Sequence, residues 1–94
     1  MKIKKYRLEF LSGNERAARA AMEYRDMERY IYTVTRTDGG ERHLEMQGYR
    51  GSIAELVSEH LGAGRYELEF PFFDLAIEVE EAETPEAGEK GGEE

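Results

Sequence analysis

The strongest constraint on this chain is a two-residue alternation of apolar and charged side chains that returns in separate stretches. Over residues 2–11, Tyr6, Leu8 and Phe10 alternate with Lys5, Arg7 and Glu9. Over residues 65–70, Tyr66, Leu68 and Phe70 alternate with Arg65, Glu67 and Glu69. A period of two places the two sets on opposite sides of an extended backbone, so each stretch predicts a strand with one dry and one wet face. Residues 29–36 are β-branched and aromatic (Tyr30, Ile31, Tyr32, Thr33, Val34, Thr35) and predict another strand. Thr37, Asp38, Gly39 and Gly40 then supply a hairpin turn, because glycine accepts the positive φ that tight turns need. Residues 41–49 return as the partner strand, with Leu44 and Met46 expected inward and His43, Glu45 and Gln47 outward.

Two segments carry a helical period instead. In residues 15–27, Ala17, Ala20, Ala21, Tyr24 and Met27 fall on one face at 100° per residue, with Ala18 and Met22 widening it. Glu15, Arg16, Arg19, Glu23 and Asp26 fall on the other. Ser12 precedes Glu15 by three, the spacing of a capping box, and Asn14 is a competing cap. Ser52 and Glu55 repeat that spacing before a short helix whose stripe is Ile53, Leu56, Val57, His60 and Leu61, ended by Gly62 and Gly64. At Pro71 the strand alternation changes phase, from even positions to Phe73, Leu75, Ile77 and Val79. A bulge or sharp bend is expected there, since residues 70–73 are too apolar for an ordinary exposed turn.

The order is β-α-β-β-α-β with a bent last strand. It predicts an α+β, ferredoxin-like fold: an antiparallel sheet with two helices on one face. In that arrangement the first strand lies between the third and fourth, and residues 30–35 form a sheet edge.

Charge divides the chain differently from its pattern. The 94 residues suit one domain and carry a formal net charge of −8. Residues 80–94 hold seven glutamates against Lys90, a net of −6, which leaves residues 1–79 at −2 with 12 basic and 14 acidic side chains. After Val79 the composition turns to Glu, Ala, Gly, Pro and Lys, which cannot bury enough surface to fold. A domain over residues 1–79 and a disordered acidic tail over 80–94 are therefore expected. The chain has no cysteine, which favours a reducing, cytoplasmic setting. No run reaches the roughly 18 apolar residues of a membrane span, so a soluble protein without a membrane partner is expected.

Chemistry is poorly supported. His43 and His60 lack a second ligand at metal spacing, Ser12 and Ser52 read as caps, and Ser58 and His60 point to different helix faces. His60 is expected to interact with the last carbonyls of its helix. Gly62 and Gly64 lead from helix to strand, the reverse of a dinucleotide-binding context. Neither catalysis nor a cofactor or metal is expected. RNA-binding sheets stack bases on outward aromatics, whereas Lys5, Arg7, Glu9, His43, Glu45 and Gln47 stand here, which disfavours direct nucleic-acid binding. What remains is a non-enzymatic protein-binding module. Its expected contact residues are Tyr30, Ile31, Tyr32 and Thr33 on the edge, Glu45, Glu67 and Glu69 on the outward face, and Tyr49 and Phe72 extending the aromatic patch. Small acidic proteins of this character include phage-encoded inhibitors of host nucleic-acid machinery, some of which imitate DNA. The alternative is a small regulatory or assembly subunit that homodimerises through an edge strand.

Overall fold

The computed structural model describes residues 2–83: β1 (Lys2–Gly13), α1 (Glu15–Glu23), β2 (Arg29–Arg36), a 3-10 turn (Asp38–Gly40), β3 (His43–Gly51), α2 (Ile53–Glu59), β4 (Gly64–Glu69) and β5 (Phe73–Glu83). The expected class holds: the fold is α+β, with one antiparallel sheet and two helices. The sheet, however, has five strands in the order β1-β5-β4-β2-β3, which is not the ferredoxin-like order. β1 lies at an edge beside β5, not between the third and fourth strands.

The departure starts at Pro71. Phe70 N–H donates to the Phe73 carbonyl at 2.9 Å, closing a hairpin turn where a bend was expected. The apolar turn is tolerable because Phe70 and Phe73 pack inward as stacked rings, 4.6 Å between centroids, and only Pro71 and Phe72 stay outside. The returning strand takes the place next to β1. Its register runs from Phe10↔Leu75 through Arg7↔Glu78 and Lys5↔Glu80 to Lys4↔Glu81, so basic residues of β1 face acidic residues of β5, and the backbone ladder continues to Lys2↔Glu83. Residues 80–83, assigned to the tail from composition, are thus part of the sheet. The rest of the expected tail lies outside the described residues.

The helices are capped partly as expected. Ser52 accepts the Glu55 N–H at 2.9 Å. At α1 the cap is Asn14, which accepts from Ala17 N–H at 3.0 Å, while Ser12 stays in β1 and donates to Asp74 at 2.9 Å. α1 stops at Glu23, short of Met27. Its buried face centres on Ala18 and Ala21, leaving Ala20, Tyr24 and Met27 exposed, so the stripe is rotated from the expected one. The last carbonyls of α2 are met by a residue distant in sequence: Lys4 Nζ donates to the carbonyls of Val57, Ser58 and Leu61 at 3.0, 3.3 and 2.9 Å. His60, expected in that role, lays its ring edge-on to Tyr49 at 5.7 Å.

One apolar cluster joins Ala18 and Ala21 of α1, Ile53, Leu56 and Val57 of α2, and Tyr66, Leu68, Leu75, Ile77 and Val79 of the sheet. Both helices therefore cover the same face. Two irregularities reassign side chains of the β2–β3 hairpin. Ile31 and Val34 are both fully buried although three residues apart, and their register partners Tyr49 and Met46 both pack on the core. Strict alternation cannot do this, and the change of face falls at Gly48, whose φ of +66° is costly for a residue with a Cβ. The second is a bulge: Val34 pairs with Met46 but Thr35 with Leu44, leaving Glu45 as the extra residue. Leu44, expected inward, is consequently 55% exposed.

The far end of the hairpin is locked by Arg36. Its guanidinium donates to Asp38 Oδ1 at 2.8 Å, to the Tyr66 hydroxyl at 3.1 Å and to the Ala63 carbonyl at 2.9 Å. Gly64 makes room for it: a Cβ there would lie 2.7 Å from Arg36 Nη2, and φ is +149°. Among the described residues, no helix is long and apolar enough to cross a membrane.

Candidate functional site

The residues expected to bind a partner divide between two surfaces, and some belong to neither. The expected free edge over residues 30–35 is only half free. β2 pairs with β3 along its length, and over residues 33–36 it also pairs with β4, as in Thr33↔Glu69 and Arg36↔Tyr66. β4 then ends at Glu69 while β2 runs on toward Arg29, so residues 29–32 have a strand neighbour on one side only.

Beside that half-edge lies a hollow of about 370 Å³. Its walls are Ala17 and Ala20 of α1, Glu28, Arg29 and Tyr30 at the start of β2, and residues 70–73 of the β4–β5 turn. Local sequence explains each wall. The two alanines leave space that any longer side chain would fill. Phe70 and Phe73, buried and stacked, supply an aromatic floor. The turn is pinned to the N-terminus of α1, because Asn14 N–H donates to the Phe72 carbonyl at 2.8 Å. Gly13 permits that approach: a Cβ would sit 2.6 Å from the Phe72 oxygen, and φ is +99°. Phe72 projects from the rim, 72% exposed. Arg29 donates to the Ala20 carbonyl at 3.4 Å, yet its Nε is buried with no hydrogen-bond partner. A mostly apolar recess beside a strand segment with a neighbour on one side only is a suitable setting for the main chain of another polypeptide.

Tyr30 and Tyr32 stand next to it with their rings edge-on, 5.1 Å apart, and the Arg50 guanidinium lies 5.2 Å from the Tyr30 ring centroid. Tyr32 is 42% exposed. Ile31, between them, is fully buried and is corrected from a contact residue to a core residue. Tyr49 is half-buried, its hydroxyl donating to the Ser52 carbonyl at 3.4 Å, and burial raises its pKa above the usual tyrosine value, with Glu55 and Glu59 adding to the effect. It therefore braces α2. Glu45 sits at the β3 bulge, away from both surfaces.

The second surface is the uncovered face of the sheet. Glu69 of β4 stands directly opposite Asp74 of β5, a like-charge pair that sheets ordinarily avoid. Thr33 donates to Glu69 at 3.2 Å and Ser12 to Asp74 at 2.9 Å, so hydroxyls from the flanking strands offset part of that cost. Glu67 lies one row away, with Glu9 across Ala76 from it. Arg42 binds Glu67 at 2.8 Å, and its hydrogen bond holds the Glu67 carboxyl below the usual glutamate range. A shallow depression of about 140 Å³ lies among Thr33, Thr35, Arg42, Glu67, Glu69 and Asp74. Sequence reasoning named Glu67 and Glu69 but missed Arg42 and Asp74, whose strand partners only the pairing of β4 with β2 and β5 brings near.

The histidines are placed apart from both surfaces' polar groups. His43 Nε2 lies 3.1 Å from Glu41, and His60 contacts Tyr49. Among the described residues, no group of three or more histidines and carboxylates is arranged to hold a metal ion. No known protein family matches the chain, no curated protein matches it, and no solved structure matches its fold.

Proposed function

We propose that this protein is a non-enzymatic binding module that captures an extended segment of another polypeptide at the half-edge of β2. The observation that carries the reading is the coincidence of a strand segment without a neighbour on its β4 side, residues 29–32, with the aromatic-floored hollow beside it. A segment laid antiparallel or parallel to residues 29–32 would supply the missing ladder bonds. One apolar side chain of that segment would enter the hollow between Ala20 and Phe72. The main-chain bonds provide affinity and the hollow provides selectivity.

The test is selection from a displayed library of linear peptides against the wild-type protein and the Ala20→Phe variant. Ala20 is exposed on α1, so the larger ring fills the hollow without entering the core. Peptides with an apolar anchor should bind wild type and lose at least about tenfold in affinity against Ala20→Phe. Peptides that bind both proteins equally, or a selection that yields none, overturn the reading.

A second reading concerns the acidic rows of the open face. Glu9, Glu67, Glu69 and Asp74 lie in two adjacent rows there, with Arg42 bound to Glu67 and with Arg7 and Arg65 in the next row flanking Glu78; the two acidic rows suit a basic surface on a nucleic-acid-handling complex and support an inhibitor of such a complex. Glu69→Lys with Asp74→Lys should abolish that binding and leave the peptide binding above intact.

A further inference from the structure

Building on the peptide-capture reading above, on which this rests, we infer that the hollow beside β2 selects an aromatic anchor that carries a polar hydrogen. The anchor is a tryptophan or tyrosine side chain of the guest, and the Glu28 carboxylate is its acceptor.

The apolar walls point to a ring. Phe70, Phe72, Phe73 and Tyr30 all line the space, so a guest ring meets other rings on several sides. Aromatic pairs gain attraction beyond the area they bury, which an aliphatic side chain does not. The volume of about 370 Å³ also reaches the lower end of the range in which whole small molecules sit. A leucine or valine side chain would leave much of it unfilled and lose contacts on one side. The walls are set before any guest arrives. Phe70 and Phe73 are buried and stacked, and the Asn14 N–H holds the Phe72 carbonyl at 2.8 Å. A ring can therefore enter a site that is already ordered.

The polar part of the wall decides which ring. Glu28 and Arg29 both stand there. The Arg29 guanidinium is engaged by the Ala20 carbonyl at 3.4 Å. Glu28 is exposed, and among the described residues its carboxylate has no hydrogen-bond or ion-pair partner. A carboxylate can only accept, so its complement beside an aromatic recess is an N–H or O–H on the guest's ring. Indole and phenol each bring that donor at the polar end of an apolar body. Phenylalanine brings none, and a cationic side chain would meet Arg29 as well as Glu28.

The test titrates the full chain with the N-acetyl amides of tryptophan, tyrosine, phenylalanine and leucine, followed by NMR at the methyl groups of Ala17 and Ala20. The tryptophan and tyrosine amides should bind about fivefold more tightly than the leucine amide. They should bind about threefold more tightly than the phenylalanine amide. A tryptophan amide methylated on its indole nitrogen keeps the ring, loses the donor, and should fall to the level of phenylalanine. Glu28 is exposed and lies between α1 and β2, so Glu28→Ala leaves the core untouched. In that variant the tryptophan and tyrosine amides should bind no better than phenylalanine, whose own affinity stays as in wild type. In Ala20→Phe the Ala17 methyl should respond to none of them. Equal binding of the leucine and tryptophan amides, or a tryptophan preference that survives Glu28→Ala, overturns the anchor and leaves peptide capture standing. A hollow already filled by a second copy, seen as a dimer in sedimentation that Phe72→Ser dissociates, overturns it too. So does the absence of a saturable shift with any amide, while the displayed-peptide selection decides capture separately.

Discussion

Lys4 sits in a strand of alternating charge, yet its ammonium is used on the covered side, where it holds the carbonyls of Val57 and Ser58 in the last turn of α2 and of Leu61 just beyond it. A helix of seven residues gains little from propensity alone, and its unpaired terminal carbonyls need partners. Lys4→Met keeps the aliphatic stem and removes the donors. It should cost about 1–3 kcal/mol, read as a lower urea midpoint at unchanged slope. Glu67 illustrates a different residue-scale effect. The Arg42 hydrogen bond lowers its folded pKa, so the unfolded chain binds the proton more readily. The stabilisation is complete above the ordinary glutamate pKa and is lost as pH falls through the lower folded value. Arg42→Gln should move the Glu67 titration, followed by carboxyl-carbon NMR, back up toward the ordinary range. Asp38, lowered chiefly by its hydrogen bond to Arg36, gives the same direction and should be unaffected by that substitution.

At the scale of elements, the two hairpins depend on where a strand breaks its own period. In β3 the bulge at Glu45 turns Leu44 outward and leaves Met46 packed on the core. Leu44→Gln should therefore change stability by less than about 0.5 kcal/mol, whereas Met46→Ala should cost more, both measured by urea unfolding. The β4–β5 turn makes a sharper contrast among three phenylalanines. Phe72→Ser should leave the unfolding midpoint nearly unchanged, since the ring is 72% exposed, while Phe70→Ala should cost about 3–5 kcal/mol. An aromatic residue that the fold does not require, at the rim of a hollow, is available for recognition.

For the molecule as a whole, the position of β5 is the deciding fact, because it separates β1 from the rest of the sheet and extends through residues 80–83. A chain ending at Glu83 should be more stable than one ending at Val79 by about 1–3 kcal/mol, since the shorter loses the backbone pairing of Lys5, Lys4, Ile3 and Lys2. The sequence by itself determined the α+β class, both helices, the Ser52 cap, the glycine turn after Thr37 and the alternating faces of β1, β4 and β5. These are properties of period, propensity and capping, and each is set within a few residues. It could not determine that the chain reverses at Pro71, because an apolar turn looks like a strand until Phe70 and Phe73 have a core to enter. Nor could it order the strands, since the charge match of Lys5 to Glu80 competes on paper with other acidic neighbours and is chosen only when the sheet assembles. Tertiary structure alone therefore decided which edges are open, removed Ile31 from the surface, brought Asp74 beside Glu69, and made a hollow from Ala17, Ala20 and a turn some fifty residues away. Strand neighbours are a long-range outcome of burying one face completely, and local pattern says only which face that is.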